Sequence, residues 1–452
     1  MRSDGKRTER GGSSTMADII AEESDFSWRK IRITLTVMIG IGLGTTFLLI
    51  PAYPLTLPAM THEFGWKPSE YGFAFSLLLW FGACSGPFLG WIVDRVGVRP
   101  MIIGGTVVVG LIGMSLSKVG SLTHFYVCFA LLGVFGSTAI GYGKVIGALF
   151  TKHRGKAMAL LGVESSLAGA VIPQAVQWLI NHQGWRGAYF WLGVVTLCVA
   201  PLIYFSLEEP GRVGGARQGP VSAPPPALVG MTAGEVYRTG TFWALVAAHV
   251  LGGLALGVVG TYMVPMLMAH GFAQADGANF QTILVLAGAC GTLAAGFLLD
   301  HTRSAKICAP FCAISAVSLV MLATVSAQEG GRLMFWVMAI LYGFGAFARL
   351  PMGGYFQTRF FGLKAFAAVS GVQGAVMAGF FGFGSPLVGK SQEATGSYDG
   401  ALWVLAGATA LAGVIYLFLG PYRYPATAVL ATPEPQRAPI PATAGAISPA
   451  PP

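Results

Sequence analysis

The chain of 452 residues is 54% hydrophobic and only 10% charged, against about 25% charged residues in an ordinary soluble domain. Its net charge of +9 is scattered through short loops between apolar runs, which argues against a nucleic-acid-binding face. The six cysteines (Cys84, Cys128, Cys198, Cys290, Cys308 and Cys312) all fall inside apolar runs. They read as small buried hydrophobes, and neither a disulfide framework nor a metal centre is implied.

In chain order, residues 1–30 mix Arg, Lys, Asp, Glu, Ser and Gly without an apolar stretch. This reads as a disordered tail and not as a cleavable signal peptide, so the first span serves as its own insertion signal. Twelve apolar runs follow, at 31–59, 69–93, 99–118, 122–150, 156–181, 187–207, 241–268, 279–300, 305–327, 332–358, 364–389 and 399–420. Each approaches or exceeds the roughly 20 residues that a helix needs to cross about 30 Å of hydrocarbon. Pro51, Pro54 and Pro58 are expected to kink or unwind the outer half of span 1. Residues 208–240 form a Gly/Pro-rich polar linker between spans 6 and 7, and 421–452 form a Pro/Ala-rich disordered tail.

The loops after spans 2, 4, 8 and 10 carry nine basic residues: Arg95, Arg99, Lys152, Arg154, Lys156, Arg303, Lys306, Arg359 and Lys364. The loops after the odd-numbered spans carry five: Lys67, Lys118, Arg186, Arg332 and Lys390. This asymmetry predicts that both termini and the linker are cytoplasmic. The halves repeat one another. "LLWFGACSGPFLGWIVD" (78–94) and "LVLAGACGTLAAGFLLD" (284–300) share Leu, Gly-Ala-Cys, Gly and Asp at an offset of 206. Gly162-Val163 and Gly371-Val372 form a second match, and Pro54 and Pro265, each following a Gly-Leu pair, form a third. The expected fold is an all-α membrane protein of twelve transmembrane helices in two pseudo-symmetric six-helix bundles, 31–207 and 241–420. Parallel repeats of this kind place a substrate between them near mid-membrane.

The stretch "GWIVDRVGVRP" between spans 2 and 3 fits G-x-x-x-D-R-x-G-x-R through Gly90, Asp94, Arg95, Gly97 and Arg99. Gly97 permits a tight turn there, and Pro100 can begin the next helix. With twelve spans and a long linker, the chain resembles the major facilitator superfamily, whose signature occupies this loop. "GFLLDHTRSAK", containing Asp300, stands where the second half would carry a degenerate copy. The resemblance implies that Asp94 and the arginines form a cytoplasmic latch, with Asp300 as its counterpart, that holds the outward-facing state. Simple basic anchoring of the loop is the alternative. "EFGWKPSEYGFAFSL", "LFTKHRGKAMALLGVESSLAG" and "RFFGLKAFAAVSGVQGAVMAGFFGFGSPLVG" look like the corresponding regions of the monocarboxylate transporter and oxalate:formate antiporter branches. That likeness implies small organic anions as substrates. Studied members of those branches tend to carry a cation in span 8 or a lysine within span 11. Here span 8 has none, and Lys390 stands at the outer end of span 11.

Ionisable side chains inside spans are expensive and mark function by default. Four are found: Lys144, Glu164, His249 and Arg349. Arg349 lies 17 residues from Arg332 and 10 from Arg359, near the bilayer centre. Its guanidinium fork suits a carboxylate, although a structural arginine held by carbonyls or by Glu164 is also open. Lys144 and Glu164 reach similar depth, either as a mutually insulating ion pair or as an anion contact and a titrating carboxyl. In the repeat Glu164 corresponds to Gln373, which can hydrogen-bond an anion but cannot titrate. His249 is a candidate proton relay or a packing histidine. Tyr53, Tyr142, Tyr262 and Tyr342 are candidate substrate contacts, packing being the plainer reading of each. The resemblance implies that spans 1, 4, 7 and 10, which hold most of these residues, line a central cavity.

These readings converge on a secondary active transporter for a mono- or dicarboxylate at the inner (plasma) membrane, with a proton as possible companion. It is expected to need only the lipid bilayer as partner, with no cofactor and no metal, and the resemblance implies a monomer. Efflux of amphipathic drugs, with Glu164 as cation site, and a transporter-like sensor are the alternatives. An enzyme is disfavoured, because no nucleophile–base pair or metal-ligand cluster stands out. "GYGKVIG" (141–147) has the look of a phosphate-binding loop but falls inside span 4.

Overall fold

The computed structural model of the chain describes residues 28–136, 141–142, 145, 154–207, 230–302, 304–324 and 327–424. Regular structure among them is helical, apart from one antiparallel bridge between Gly230 and Gly362. Eight helices among these residues are long and apolar enough to cross a membrane. Span 2 is Pro68–Val96, span 3 Val98–Leu116, span 7 Gly240–Ala269, span 8 Gln274–His301, span 9 Cys308–Thr324, span 11 Phe366–Thr395 and span 12 Asp399–Phe418. Span 4 is described as the helix Leu122–Gly136. Spans 5 and 6 share one helical run, Arg154–Ser206, broken at Gly184 with φ 70°, a left-handed conformation that glycine adopts without penalty.

Two boundaries run past the apolar pattern. Span 8 starts five residues earlier than hydropathy implies, because the Asp276 carboxylate accepts the Ala273 N–H at 3.1 Å and caps the helix. Span 11 continues to Thr395, ending where Gly396 adopts φ 75°. Within the linker, Ala233–Tyr237 forms a short helix closed by a Thr232/Glu235 capping box.

Two spans expected as single helices are each in two pieces. Span 1 consists of Trp28–Leu43, a 3-10 turn at Thr46–Leu48, and Ala52–Phe64. The break precedes Pro54 and Pro58, both of which sit inside the second piece. It falls where Thr45 goes extended, its hydroxyl accepting from the Phe47 N–H and leaving the helix path. Span 10 runs Ala327–Ala348 and resumes as Met352–Phe361. Pro351 explains this second break, since it disfavours helical backbone at Leu350 and donates no N–H.

The sequence repeat reappears as repeated packing. Span 2 meets span 4 so closely that a Cβ on Gly133 would lie 2.3 Å from the Leu78 carbonyl oxygen. Span 8 meets span 10 in the same way, with a Cβ on Gly343 falling 2.1 Å from the carbonyl of Leu284, the repeat partner of Leu78. Spans 3 and 6 touch through Gly110 and Gly193, where a Cβ on Gly193 would reach within 2.7 Å of the Gly110 carbonyl. Lipid supplies no hydrophobic force between helices, so close backbone approach at small residues takes its place.

The halves meet through span 2 against span 11, span 5 against span 8, and the second piece of span 1 against span 7. The hydrogen bonds found between described residues of the two halves run from mid-membrane to the end that carries the loops after the odd-numbered spans. Gln274 donates to the Leu55 carbonyl at 3.0 Å, Gln174 to Asn279 at 3.1 Å, and Thr282 to the Ala170 carbonyl at 2.7 Å. Ser69 N–H donates to a Glu393 carboxylate oxygen at 2.9 Å. The molecule is therefore sealed at that end.

Candidate functional site

The break in span 10 places Arg349 on a turn between two helical pieces, at a depth where an unbroken helix would hide its backbone. Arg349 is 7% exposed. Nε donates to the Gly345 carbonyl at 3.2 Å, and Nη1 reaches Cys312 Sγ at 3.8 Å. The ion pairs found among the described residues are Arg186–Glu63 and His270–Asp399, so no carboxylate there neutralises Arg349. The guanidinium fits because span 7 offers no side chain at Gly252, where a Cβ would lie 2.0 Å from Nη1.

Arg349 borders a cavity of about 220 Å³ walled by spans 7, 10, 11 and 12. His249 and Gln373 share that wall, so three of the residues singled out in the sequence come together. His249 Nδ1 lies 2.9 Å from the Leu245 carbonyl and 3.1 Å from the Tyr416 hydroxyl. A carbonyl only accepts, so this network assigns the proton to Nδ1 in the neutral ring and leaves Nε2 an acceptor. Nε2 has no hydrogen-bond partner and faces the bare Cα of Gly353, where a Cβ would come within 2.7 Å. Gln373 Oε1 accepts from Gln357 Nε2 at 2.6 Å, and the Ser370 hydroxyl donates to Gln357 Oε1. Both glutamines are buried. With Gln373 Oε1 engaged, its amide N–H groups are the part of the side chain left for a ligand. Phe381, Met377 and Leu256 supply the apolar wall. The wall thus offers one cation and amide donors beside an apolar surface, which suits a small anion with an apolar body.

Sequence reasoning missed Gln357, Ser370 and Tyr416. Gln357 sits in "GGYFQTRFF", which reads as the polar rim of span 10, and Tyr416 lies on a span not expected to face a cavity. The helix-weakening run Pro351, Gly353, Gly354 was the available signal for Gln357.

The four tyrosines take other places. Tyr53 donates to the Tyr71 carbonyl at 2.6 Å and stacks on that ring at 4.5 Å, deep in an aromatic cluster. Tyr142 is buried with its hydroxyl against Gly40. Tyr342 is buried, its hydroxyl without a hydrogen-bond partner. Tyr262 lies in the sealed seam, donating to Pro68 and Ser385 carbonyls. None of the four lines the Arg349 cavity; each aromatic body is taken up by packing instead. Lys144 lies outside the described residues, and Gly90, Asp94, Glu164 and Asp300 are described only as helix backbone.

A family model described as Major Facilitator Superfamily matches residues 34–386. The chain belongs to this superfamily. It is similar to monocarboxylate transporter 11 of Mus musculus, 26% identical over 393 residues, covering 83% of this chain and 84% of that one. It is also similar to monocarboxylate transporter 13 of Bos taurus, 27% identical and covering 78% and 80%, and to monocarboxylate transporter 4 of Rattus norvegicus, 24% identical and covering 83% and 80%. Among solved structures, a mutant of the nucleoside transporter NupG superposes with a TM-score of 0.67 at 14% identity, covering 86% of this chain and 99% of that one. A bacterial homolog of the human lysosomal transporter Spinster, in an inward-facing occupied conformation, gives 0.64 at 16%, covering 87% and 96%. The fold is accordingly the major facilitator fold, and the protein is a multi-pass membrane protein.

The superfamily signature loop can be followed in its described part. Gly97 adopts φ 97° between spans 2 and 3, a conformation that strains any residue with a side chain. Arg95 lies over the Trp91 ring at 3.9 Å, and Arg99 donates to the Tyr204 carbonyl while covering that ring at 4.9 Å. Both arginines are thus held by aromatic surfaces at the basic end.

Proposed function

We propose that this superfamily member is a secondary active transporter that moves a small organic anion, a mono- or dicarboxylate, by alternating access. The observation that carries this reading is Arg349, a buried permanent cation on a broken helix, facing a cavity with no carboxylate partner among the described residues. A buried charge without a carboxylate beside it is costly, and an anionic ligand offsets that cost only while it is bound. Relatives named monocarboxylate transporters favour a carboxylate over other anions.

The basic end faces the cytoplasm by the loop charges, which makes the sealed end external. Gln373 amide donors assist Arg349, and Lys144 is a second anion contact on the opposite half. Glu164 and His249 are the groups through which a proton accompanies the anion. The Asp94, Arg95 and Arg99 loop, with Asp300 in the second half, latches the opposite state. The transporter works as a monomer in the plasma membrane.

Uptake of radiolabelled mono- and dicarboxylates into proteoliposomes, with and without an inward proton gradient, tests the proposal. Saturable uptake of one carboxylate class, abolished in Arg349→Gln, is the expected result. Transport of amphipathic cations that is indifferent to Arg349→Gln overturns it in favour of efflux.

A further inference from the structure

We propose that Tyr262 and Trp80 are working residues of the transport step. They are reciprocal knobs that seal the external end by seating in glycine notches of the opposite half, and each cycle must unseat them. Tyr262 belongs to span 7 in the second half, and its notch is Gly72 of span 2 in the first. A Cβ on Gly72 would stand 2.1 Å from the phenol oxygen. On its other side the same oxygen meets Gly389 of span 11, where a Cβ would come within 2.7 Å. The phenol proton is shared between one carbonyl from each half, Pro68 at 2.7 Å and Ser385 at 2.9 Å. Trp80 makes the reverse arrangement. It belongs to span 2 and seats at Gly382 of span 11, where a Cβ would fall 2.1 Å from Nε1, while the indole N–H donates to the Gly379 carbonyl at 3.3 Å.

The seam is continuous. Ser69, Gly72, Ser76 and Trp80 repeat every three or four residues, which sets them on one face of span 2. Gly379, Gly382, Gly389 and Glu393, spaced by three, seven and four residues, likewise share one face of span 11. Ser76 donates to the Gly382 carbonyl, and a Cβ on Gly389 would meet the Ser69 backbone at 2.5 Å. From Pro68 to Trp80 the helix descends about 18 Å, past half of the hydrocarbon thickness. Span 11 turns residues 373–381 toward the Arg349 cavity and 379–393 toward this seam. Trp80 lies at the deep end of this seam, packed between Phe73 and Phe383 and bordering a groove separate from the Arg349 cavity. Outward opening requires spans 2 and 11 to part, so it withdraws the phenol from Pro68 and the indole from Gly379 in one movement. Added bulk in a notch blocks closure without touching the anion site.

Gly379 provides the control. It lies one turn from Gly382 on the same helix, yet a Cβ there would meet nothing within 4 Å. Hydrogen exchange of the full-length protein in nanodiscs, read by mass spectrometry, tests the proposal without any ligand. Gly382→Ala and Gly72→Ala are expected to speed exchange in 68–80 and 379–393 by at least about tenfold, while Gly379→Ala stays at the wild-type rate. Wild-type protection in Gly382→Ala, or equal acceleration in Gly379→Ala, overturns the proposal. If the notch variants do not fold, Tyr262→Phe and Trp80→Phe decide it. Faster exchange at those two segments, with span 9 unchanged, supports the lock, and unaltered protection refutes it.

Discussion

The sealed seam and the Arg349 cavity are both built around bare glycines, and they use them in opposite ways. At Gly72, Gly382 and Gly389 the missing side chain admits a group from the other half, so under the proposed lock the contact is broken in each cycle. At Gly252 and Gly353 it admits Arg349 and His249 from within the same half, so the pocket travels intact with its own bundle. A moving contact and a persistent site can therefore be told apart by asking which half fills the notch. The same distinction explains why the aromatic residues expected at the cavity were found elsewhere, with Tyr262 serving the seam and Tyr53 the core of the first half.

Three substitutions sharpen the comparison, in order of expected effect. Gly252→Ala puts a methyl group 2.0 Å from the Arg349 guanidinium position and should abolish ligand-induced stabilisation while leaving Arg349 in the sequence. Thermal melting with and without ligand checks this, and an unchanged ligand response would detach the cavity from binding. Gln357→Leu strips Gln373 and Ser370 of their buried partner and should cost about 1–3 kcal/mol of stability, read as a lower Tm without ligand. Glu63→Gln acts outside both regions. The Arg186 guanidinium, 2.5 Å away, and then the Trp185 indole hold the Glu63 carboxyl below its usual range. A depressed carboxyl stabilises the fold above its unfolded pKa and loses that contribution as pH falls through the folded value. Wild type should exceed Glu63→Gln by less than about 1 kcal/mol at neutral pH, because the pair is exposed. The difference should begin to shrink in a melting series as pH falls below about 4.3, the unfolded carboxyl's value, and disappear only once pH has passed below the folded value.

Much of this was legible in the chain itself. The spans, the 206-residue repeat and the signature loop follow from hydropathy and spacing, because a bilayer allows few alternatives to a helix. Arg349 stood out because a permanent charge at mid-membrane demands a reason. His249 and Gln373 joined it through depth and through the repeat. The glutamine network and Tyr416 were not legible, since their importance lies in which helix face meets which, and hydropathy does not report faces in a chain apolar all round. The break after Ala348 was hidden for a related reason: Pro351 and Gly353 interrupt a run whose hydropathy continues to the rim. The notches at Gly72 and Gly382 were equally silent, as 63 glycines offer no means of ranking them.

The most direct test of the central claim is the Tm of the purified protein against a panel of carboxylates and organic cations, in wild type and Arg349→Gln. A ligand at a hundred times its Kd stabilises the folded state by about 2.7 kcal/mol. A rise of several degrees with one carboxylate class, absent in Arg349→Gln, is the result expected. A rise with cations that survives Arg349→Gln would contradict an anion site at Arg349.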